Sequence, residues 1–525
     1  MSECSGLGAA TTVASRHELS YHSRGNLRRP AIEVVNANQI GLLHGEVIGP
    51  GSLKEYLETF RRYRILQGGF IWEWANHGLK KVNADDGSEF YGYGGDFDEY
   101  PHDGTFVMDG TDCVSPITLL LLDGKLEITN VYDFVGLEHL DATFNVSKYS
   151  TSDVSNGCLI ACGSLYIPVV AAGGTVSVPV PAFKSAEGAG EVWLTITFSL
   201  KESTNWADAG FETAWAQFQI ANTPSTAAIT AQPFLSTASI TETPDFLIVT
   251  GPSYTFQFNK RIARISYWTF DGTDLLTPQS NLLTFWRAPI DNDNPVDKPS
   301  WQRYGLDHLL NRVRSVETST TDGVLTIATV TDIAPPILGW KFVAEVTYIL
   351  ANPEVLKIKT NLTPKSHAPN MLPKDLPRIG WEFSIAKDVA ADGEGVVSWF
   401  GKGPGESYPD KCDAARIGIF EMPIRDLDTI YEGPNKRTAI LWEPGSDGLA
   451  VNASTEFGFK VSNKIAGLEA ARHPYEVVPS EDWVLRVDYA QHGLGTQACG
   501  PGVLEPYRLK MSESGWEFEV GLKVI

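Results

Sequence analysis

From about Pro116 to its last residue, the chain consists of short runs of alternating apolar and polar residues, separated by Gly, Asp and Pro. The clearest run is EVWLTITFSL at 191–200, in which every second residue is apolar. Successive side chains of a β-strand point to opposite faces, so this alternation predicts a strand with one apolar face. One side of that strand carries Val192, Leu194, Ile196 and Phe198. Helical patterns are rare in this region, and we find no internal repeat. The pattern therefore predicts antiparallel β-structure over most of the chain.

This β region divides in two. The stretch Ala221–Thr243 is rich in Thr, Ala and Pro and has little periodicity, which predicts a linker. The block before it reads as a β-sandwich. The last ~290 residues, ending in GWEFEVGLKVI at Gly515–Ile525, predict one large all-β domain.

Only the first hundred or so residues contain a helix-then-strand unit. Ser52–Tyr63 follows a Gly-Pro-Gly turn at 49–51 and has an apolar face at helical spacing, formed by Leu53, Tyr56, Leu57 and Phe60. The apolar and aromatic run Gly68–Trp74 suits a strand buried in a parallel sheet. This unit is typical of the end of an α/β barrel.

Length and charge bound the remaining possibilities. A chain of 525 residues exceeds the ~250 to 300 residues that one core usually supports, so several domains are expected. The net charge of −22, from 64 acidic and 42 basic residues, repels phosphate backbones and anionic lipids. We therefore expect neither nucleic acid nor membrane partners.

The N-terminal thirty residues and the cysteines indicate the compartment. These residues contain no apolar stretch typical of a secretory signal, and the six cysteines are scattered rather than clustered in a disulfide framework. Three Asn-X-Ser/Thr triplets, at Asn145, Asn361 and Asn452, would be glycosylation sites in a secreted protein, but such triplets often arise by chance. We expect a cytoplasmic protein.

Five sequence blocks carry the strongest functional signal. They are QGGFIWEWANHGL at Gln67–Leu79, YGGDFDEYPHDGTFVMDG at Tyr93–Gly110, FWRAPIDNDN at Phe285–Asn294, GKGPGESYPDK at Gly401–Lys411 and HGLGTQACGPGVL at His492–Leu504. In type and order they resemble the C-terminal half of the large β-galactosidases (lactases) of glycoside hydrolase family 2. The resemblance covers roughly 49–525.

This resemblance implies a mainly β fold in three parts. Residues 1–110 would form an N-terminal segment and the incomplete end of a (β/α)8 TIM barrel. Residues 111–225 would form an immunoglobulin-like β-sandwich, and residues 235–525 a β-supersandwich of the β-galactosidase small-chain type. About ten residues of the family's barrel-to-sandwich connection are missing after Gly110.

Catalysis is where the chain departs from the family. A retaining glycosidase needs two carboxylates about 5 Å apart, one as nucleophile and one as acid/base. The family's acid/base lies upstream of the residues present here, and an ungapped alignment places Gly41 at the nucleophile position. Glu46 is a weak substitute, since a solvated turn carboxylate is the simpler interpretation. We therefore name no catalytic residue firmly.

Three other positions match sugar-binding residues of the family. His44 corresponds to a histidine that binds galactose hydroxyls, and Trp72 to the tryptophan on which the sugar packs. Cys499 lies in a loop that closes the outer side of the pocket in the family. Core filling for Trp72 and a plain buried thiol for Cys499 are the structural alternatives.

A cation site is implied by the same resemblance. Phe106, through its carbonyl, and Asp109 match ligands of a sodium ion beside the sugar, but the family's third protein ligand lies upstream. Sodium or magnesium is therefore the expected ion. A solvated acidic loop is the alternative.

Three hypotheses follow for function. The first is a β-galactosidase-family protein that binds a β-galactoside or another carbohydrate and hydrolyses it only with a partner chain that carries the upstream barrel. Its protein partners would be such a complementing chain or further copies in a homo-oligomer. The second is a stand-alone carbohydrate-binding or repurposed protein. The third is an incomplete gene product. Whether the chain is itself an enzyme stays open, and we expect it to be inactive alone.

Overall fold

The computed structural model describes residues 53–66, 79–84, 87, 89–92, 116–150, 157–183, 188–223, 238–278, 280–290, 292–293, 296–389, 395–405, 407–427, 432–442, 449–462, 468–469, 471, 476–494 and 503–525.

The described residues between 53 and 92 form one helix and one hairpin. Helix α1 (Leu53–Arg62) confirms the helix predicted over Ser52–Tyr63. It carries Glu55 in its first turn and two arginines in its last, which complements the helix dipole. Strands β1 (Leu79–Val82) and β2 (Glu89–Gly92) pair antiparallel. The predicted strand at 68–74 lies outside the described residues.

Seven strands form a two-sheet sandwich: β3 (Ile117–Leu122), β4 (Lys125–Asn130), β5 (Leu140–Tyr149), β6 (Gly157–Ser164), β7 (Thr175–Pro179), β8 (Gly190–Leu200) and β9 (Glu212–Thr223). One sheet has the order β3-β4-β7 and the other β6-β5-β8-β9. The predicted alternation in β8 is confirmed, because Val192, Leu194, Ile196 and Phe198 are all buried in the core between the sheets. The sequence-based expectation of a sandwich is thus correct.

In the residues that the structure describes, the C-terminal domain has seventeen strands: β10 (Ser239–Glu242), β11 (Phe246–Thr250), β12 (Tyr254–Asn259), β13 (Arg264–Phe270), β14 (Thr273–Leu276), β15 (Leu282–Thr284), β16 (Leu310–Thr321), β17 (Val324–Ala334), β18 (Trp340–Asn352), β19 (Val355–Ser366), β20 (Arg378–Ile385), β21 (Val396–Gly403), β22 (Arg416–Pro423), β23 (Glu432–Trp442), β24 (Leu449–Ser462), β25 (Trp483–Gln491) and β26 (Trp516–Val524). Their pairings are antiparallel, and β24 joins two runs by pairing with both β25 and β26. One large hydrophobic core lies among them. The mainly β fold predicted for this part of the chain is confirmed.

Helices are short in this domain. They are α2 (Asp297–Arg303), α3 (Ile424–Leu427) and 3-10 turns at Leu306–His308, Pro369–Met371, Lys387–Val389 and Glu505–Tyr507. In the described part of the chain, no helix has the length and apolar character needed to cross a membrane.

The predicted linker over Ala221–Thr243 is wrong at both ends. Strand β9 continues to Thr223, and Ser239–Glu242 forms β10, which pairs with β11. Every residue of β10 is exposed, so the strand has no apolar face that an alternation pattern could reveal. Residues 224–237 lie outside the described residues.

Polar contacts join the sandwich to the C-terminal domain. The Gln217 amide donates to the carbonyl of Ile417 at 2.9 Å and accepts from its N–H at 2.7 Å. This side chain therefore binds the backbone of β22 at two points. Beside it, the Arg416 guanidinium lies 4.3 Å from the ring centroid of Trp215 and pairs with Glu212. The two β domains therefore share a specific interface.

Candidate functional site

All predicted site residues lie outside the described residues: Gly41, His44, Glu46, Trp72, Phe106, Asp109 and Cys499. The structure instead describes the segments that flank two of them. His492–Leu494 directly precedes the 495–502 stretch that contains Cys499, and α1 follows closely after His44 in the sequence. The geometry of these flanking segments defines the candidate site.

The segment His492–Leu494, here called the loop base, is held through three successive backbone N–H groups. They donate to the carbonyl oxygens of Pro377 and Tyr507 and to Oδ1 of Asp410, at 3.0, 2.9 and 2.9 Å respectively. The Leu494 carbonyl in turn accepts from Nδ2 of Asn292 at 3.1 Å. The three N–H groups and the Leu494 carbonyl of the loop base thus each have a partner, as buried backbone groups require.

Gly493 is required at its position by close contacts. A Cβ atom there would lie 2.7 Å from Cγ and Oδ2 of Asp410 and 2.9 Å from Cβ of Tyr507. These distances are shorter than carbon contacts allow. The glycine therefore lets three sequence blocks meet, since Asn292, Asp410 and the loop base come from different blocks.

A buried ion pair shapes the turn that presents Asn292. Arg287 donates from its two terminal nitrogens to the two carboxylate oxygens of Asp293, at 2.6 and 2.9 Å. Asp293 Oδ2 also accepts from the backbone N–H of Ile290 at 2.9 Å. Such bidentate, charge-assisted bonds fix geometry more strictly than single neutral bonds do. The turn is further covered by Trp301, whose ring centroid lies 5.1 Å from the Arg287 guanidinium.

His492 is fully buried and has a defined tautomer. Its Nδ1 accepts from the backbone N–H of Leu509 at 3.1 Å, which places the ring proton on Nε2. Nε2 lies 3.5 Å from Oδ2 of Asp297, and the ring meets Trp301 edge-on with centroids 5.6 Å apart. Among the described residues, neither Nε2 nor that carboxylate oxygen has a hydrogen-bond partner.

Arg508 connects the acidic groups around His492. Its terminal nitrogens lie 3.9 Å from Oδ1 of Asp297 and 3.7 Å from Oδ2 of Asp375. Burial raises the pKa of the Asp375 carboxyl above its ordinary value, and the positive charge of Arg508 offsets that shift only in part. The carboxylates of Asp297 and Asp375 therefore share the positive charge of one arginine.

Tyr507 ties the loop base to α1. Its hydroxyl donates to Oε1 of Glu55 at 2.7 Å, while its carbonyl accepts from Gly493. Burial and the bond to the Glu55 carboxylate both raise the pKa of Tyr507, so the phenol keeps the proton that it donates. The base of the stretch containing Cys499 and the helix that follows His44 are thus brought into contact.

Three family profiles match the chain in the order of its structural parts. "Glycosyl hydrolases family 2, TIM barrel domain" matches residues 19–114, "Beta-galactosidase, domain 4" matches 126–221, and "Beta galactosidase small chain" matches 250–522, which is more than half of the chain. The chain belongs to the β-galactosidases of glycoside hydrolase family 2. Its N-terminal part accordingly matches the family's TIM barrel domain.

Curated β-galactosidases show the same extent of similarity. The enzyme from Kluyveromyces lactis is 30% identical over 90% of this chain and 46% of its own length. Those from Arthrobacter sp. (strain B7) and Priestia megaterium are 30% and 29% identical, over 89% and 85% of this chain and 48% and 43% of theirs. This family member therefore spans slightly less than half the length of these relatives.

Sequence patterns did not identify the residues that hold the loop base in this β-galactosidase family member. Asn292, Asp297, Asp410 and Tyr507 were not named, although Asn292 and Asp410 lie inside the recognised blocks. Two sequence signals could have indicated these residues. One is the Asp-Asn-Asp run at 291–293, and the other is the isolated His492 at the start of a Gly-rich block. Across the described ranges, no three side chains of His, Cys, Asp or Glu converge on a metal position.

Proposed function

We propose that this chain provides the C-terminal scaffold and part of the sugar-facing surface of a β-galactosidase, and that it does not hydrolyse β-galactosides alone. The scaffold role is supported by the hydrogen bond between Tyr507 and Glu55, because this bond connects the loop base of the C-terminal domain to helix α1 of the barrel part. The sugar-facing residues would be His44, Trp72 and Cys499.

The inactivity of the chain alone follows from its family chemistry. A retaining mechanism needs a nucleophile and an acid/base, and loss of one member of such a unit removes several orders of magnitude in rate. Gly41 offers no carboxylate at the aligned nucleophile position. Upstream barrel segments, on this or another polypeptide, would have to supply both groups.

The test is hydrolysis of a chromogenic β-galactoside by the purified chain, alone and with two separately expressed upstream halves. One half ends before the nucleophile segment and the other includes its own copy. We expect turnover only with the longer half, since position 41 cannot serve. Turnover by the chain alone that is lost in Glu46→Gln and kept in Gly41→Ala would refute the alignment and make Glu46 the nucleophile.

A sodium or magnesium ion is part of the proposal. Phe106 and Asp109 would provide two oxygen ligands and the upstream half the third, because hard cations need several oxygens. We expect turnover of the complemented protein to depend on the ion and Asp109→Asn to weaken that dependence. Sugar binding without turnover in every combination would instead favour a stand-alone carbohydrate-binding protein.

A further inference from the structure

The C-terminal domain contains a cavity of about 480 Å³ that the proposed function does not use. It lies between β15, the turn Leu306–His308 and the start of β16. Its volume falls in the range of small-molecule sites. None of the residues that anchor the loop base lines it.

The polar lining can both donate and accept hydrogen bonds. Arg264 presents donors only, the Asp307 carboxylate acceptors only, and the Asn311 amide both. Arg261 also lines the cavity, but its charge is matched by a two-point bond to Asp245. The polar lining therefore carries no excess of one charge, which disfavours strongly anionic or cationic ligands.

Asp307 has hydrogen-bonding capacity to spare. Its Oδ1 is buried and has no partner among the described residues, and its Oδ2 lies 3.6 Å from Nε2 of His308. Because Oδ1 has almost no exposed surface, Oδ2 is the oxygen that a ligand hydroxyl would meet, and at 3.6 Å its contact with His308 is too long to be a hydrogen bond.

The rest of the lining is apolar. Leu306 and Phe285 are almost fully buried, and Trp286 borders the same space. The Trp286 indole is held in place, since its N–H donates to Glu469 at 2.5 Å and its ring meets Trp301 edge-on. A ligand that suits this lining has hydroxyl groups on its rim and an apolar C–H face, which describes a neutral sugar ring.

We propose that this cavity binds a neutral mono- or disaccharide, as a carbohydrate site of the C-terminal domain that is here called the second site. The proposed function enters only in the choice of β-galactosides as the first ligands to test. Asp307 and Asn311 would bind the sugar hydroxyls, and Trp286 would pack on its apolar face.

Calorimetric titration of the full chain with lactose and with methyl β-galactoside tests the proposal. We expect Asp307→Asn to weaken binding at least tenfold, because it removes a charged acceptor. Asn311→Ala, at an exposed position, should weaken binding several-fold. Asp322→Asn, in the exposed turn after β16, is the matched control and should bind as the wild type.

The outcomes separate the two proposals. Binding that Trp72→Ala abolishes and Asp307→Asn leaves unchanged overturns the second site but not the proposed function. Binding that depends on Asp307, with no turnover in any complemented mixture, supports the second site and counts against the proposed function. Absence of any sugar binding by the full chain overturns the second site outright.

Discussion

Removal of Arg378 should destabilise the C-terminal domain more than loss of any surface charge. Arg378 on β20 and Asp488 on β25 are completely buried, and Nε of Arg378 donates to Oδ1 of Asp488 at 2.8 Å. Nε2 of Gln491 donates to the other carboxylate oxygen at 2.9 Å. Arg378→Leu leaves the carboxylate charge buried with one weak partner, which typically costs about 3–5 kcal/mol.

The size of the effect in a melting experiment follows from the size of the domain. For a domain spanning residues 250–522, the unfolding entropy is about 0.6 kcal/mol per kelvin, so a loss of about 4 kcal/mol lowers Tm by about 7 °C. Scanning calorimetry measures this on the whole chain. The double variant Arg378→Leu/Asp488→Leu should recover most of the loss, because no unpaired charge remains buried.

A matched control is the exposed pair Arg261–Asp245, where Arg261→Leu should leave Tm nearly unchanged. The reasoning is refuted if Arg378→Leu melts within about 2 °C of the wild type, or if the double variant melts as low as the single one.

Three further predictions concern the candidate site. Tyr507→Phe removes the donor to Glu55, so amide hydrogen exchange in α1 should become about tenfold faster or more. Unchanged exchange would contradict a stabilising contact between Tyr507 and α1. Gly493→Ala forces a methyl group against Asp410 and should lower stability by about 1–3 kcal/mol, measured as a fall in Tm. Folding raises the pKa of Asp375, so the native state holds that proton more tightly and loses stability as pH rises from about 4 through the raised pKa. Asp375→Asn should flatten that part of the Tm–pH curve, and a difference from wild type that does not change with pH would contradict it.

Sequence patterns predicted the fold where a strand or helix has one buried face. Strand β8 and helix α1 were identified because burial on one side imposes a period of two or of 3.6 residues. The same principle explains why β10 was missed, since all four of its residues are exposed. Strand β10 forms through backbone hydrogen bonds to β11, and such bonds require no alternation of apolar and polar residues in β10 itself.

The candidate site was less predictable because its contacts are long-range. Asn292 and Leu494 are 202 positions apart, and Asp410 and Leu494 are 84 apart, yet each pair forms a hydrogen bond. Local pattern cannot pair such residues. The resemblance identified the blocks in which Asn292 and Asp410 lie, but the contact between Glu55 and Tyr507 required the folded chain.

The described contacts give the C-terminal domain the central structural role. The sandwich meets it through Gln217 on Ile417 and through Tyr149, which stacks on Phe400 with ring centroids 5.1 Å apart. Helix α1 meets it through Tyr507. Each contact from the C-terminal side originates in a domain whose core is larger than that of the sandwich, so the C-terminal domain keeps its own core without these contacts. Perturbations of the buried Arg378 pair should therefore disturb both contacts, whereas loss of either contact should leave the core of the C-terminal domain folded.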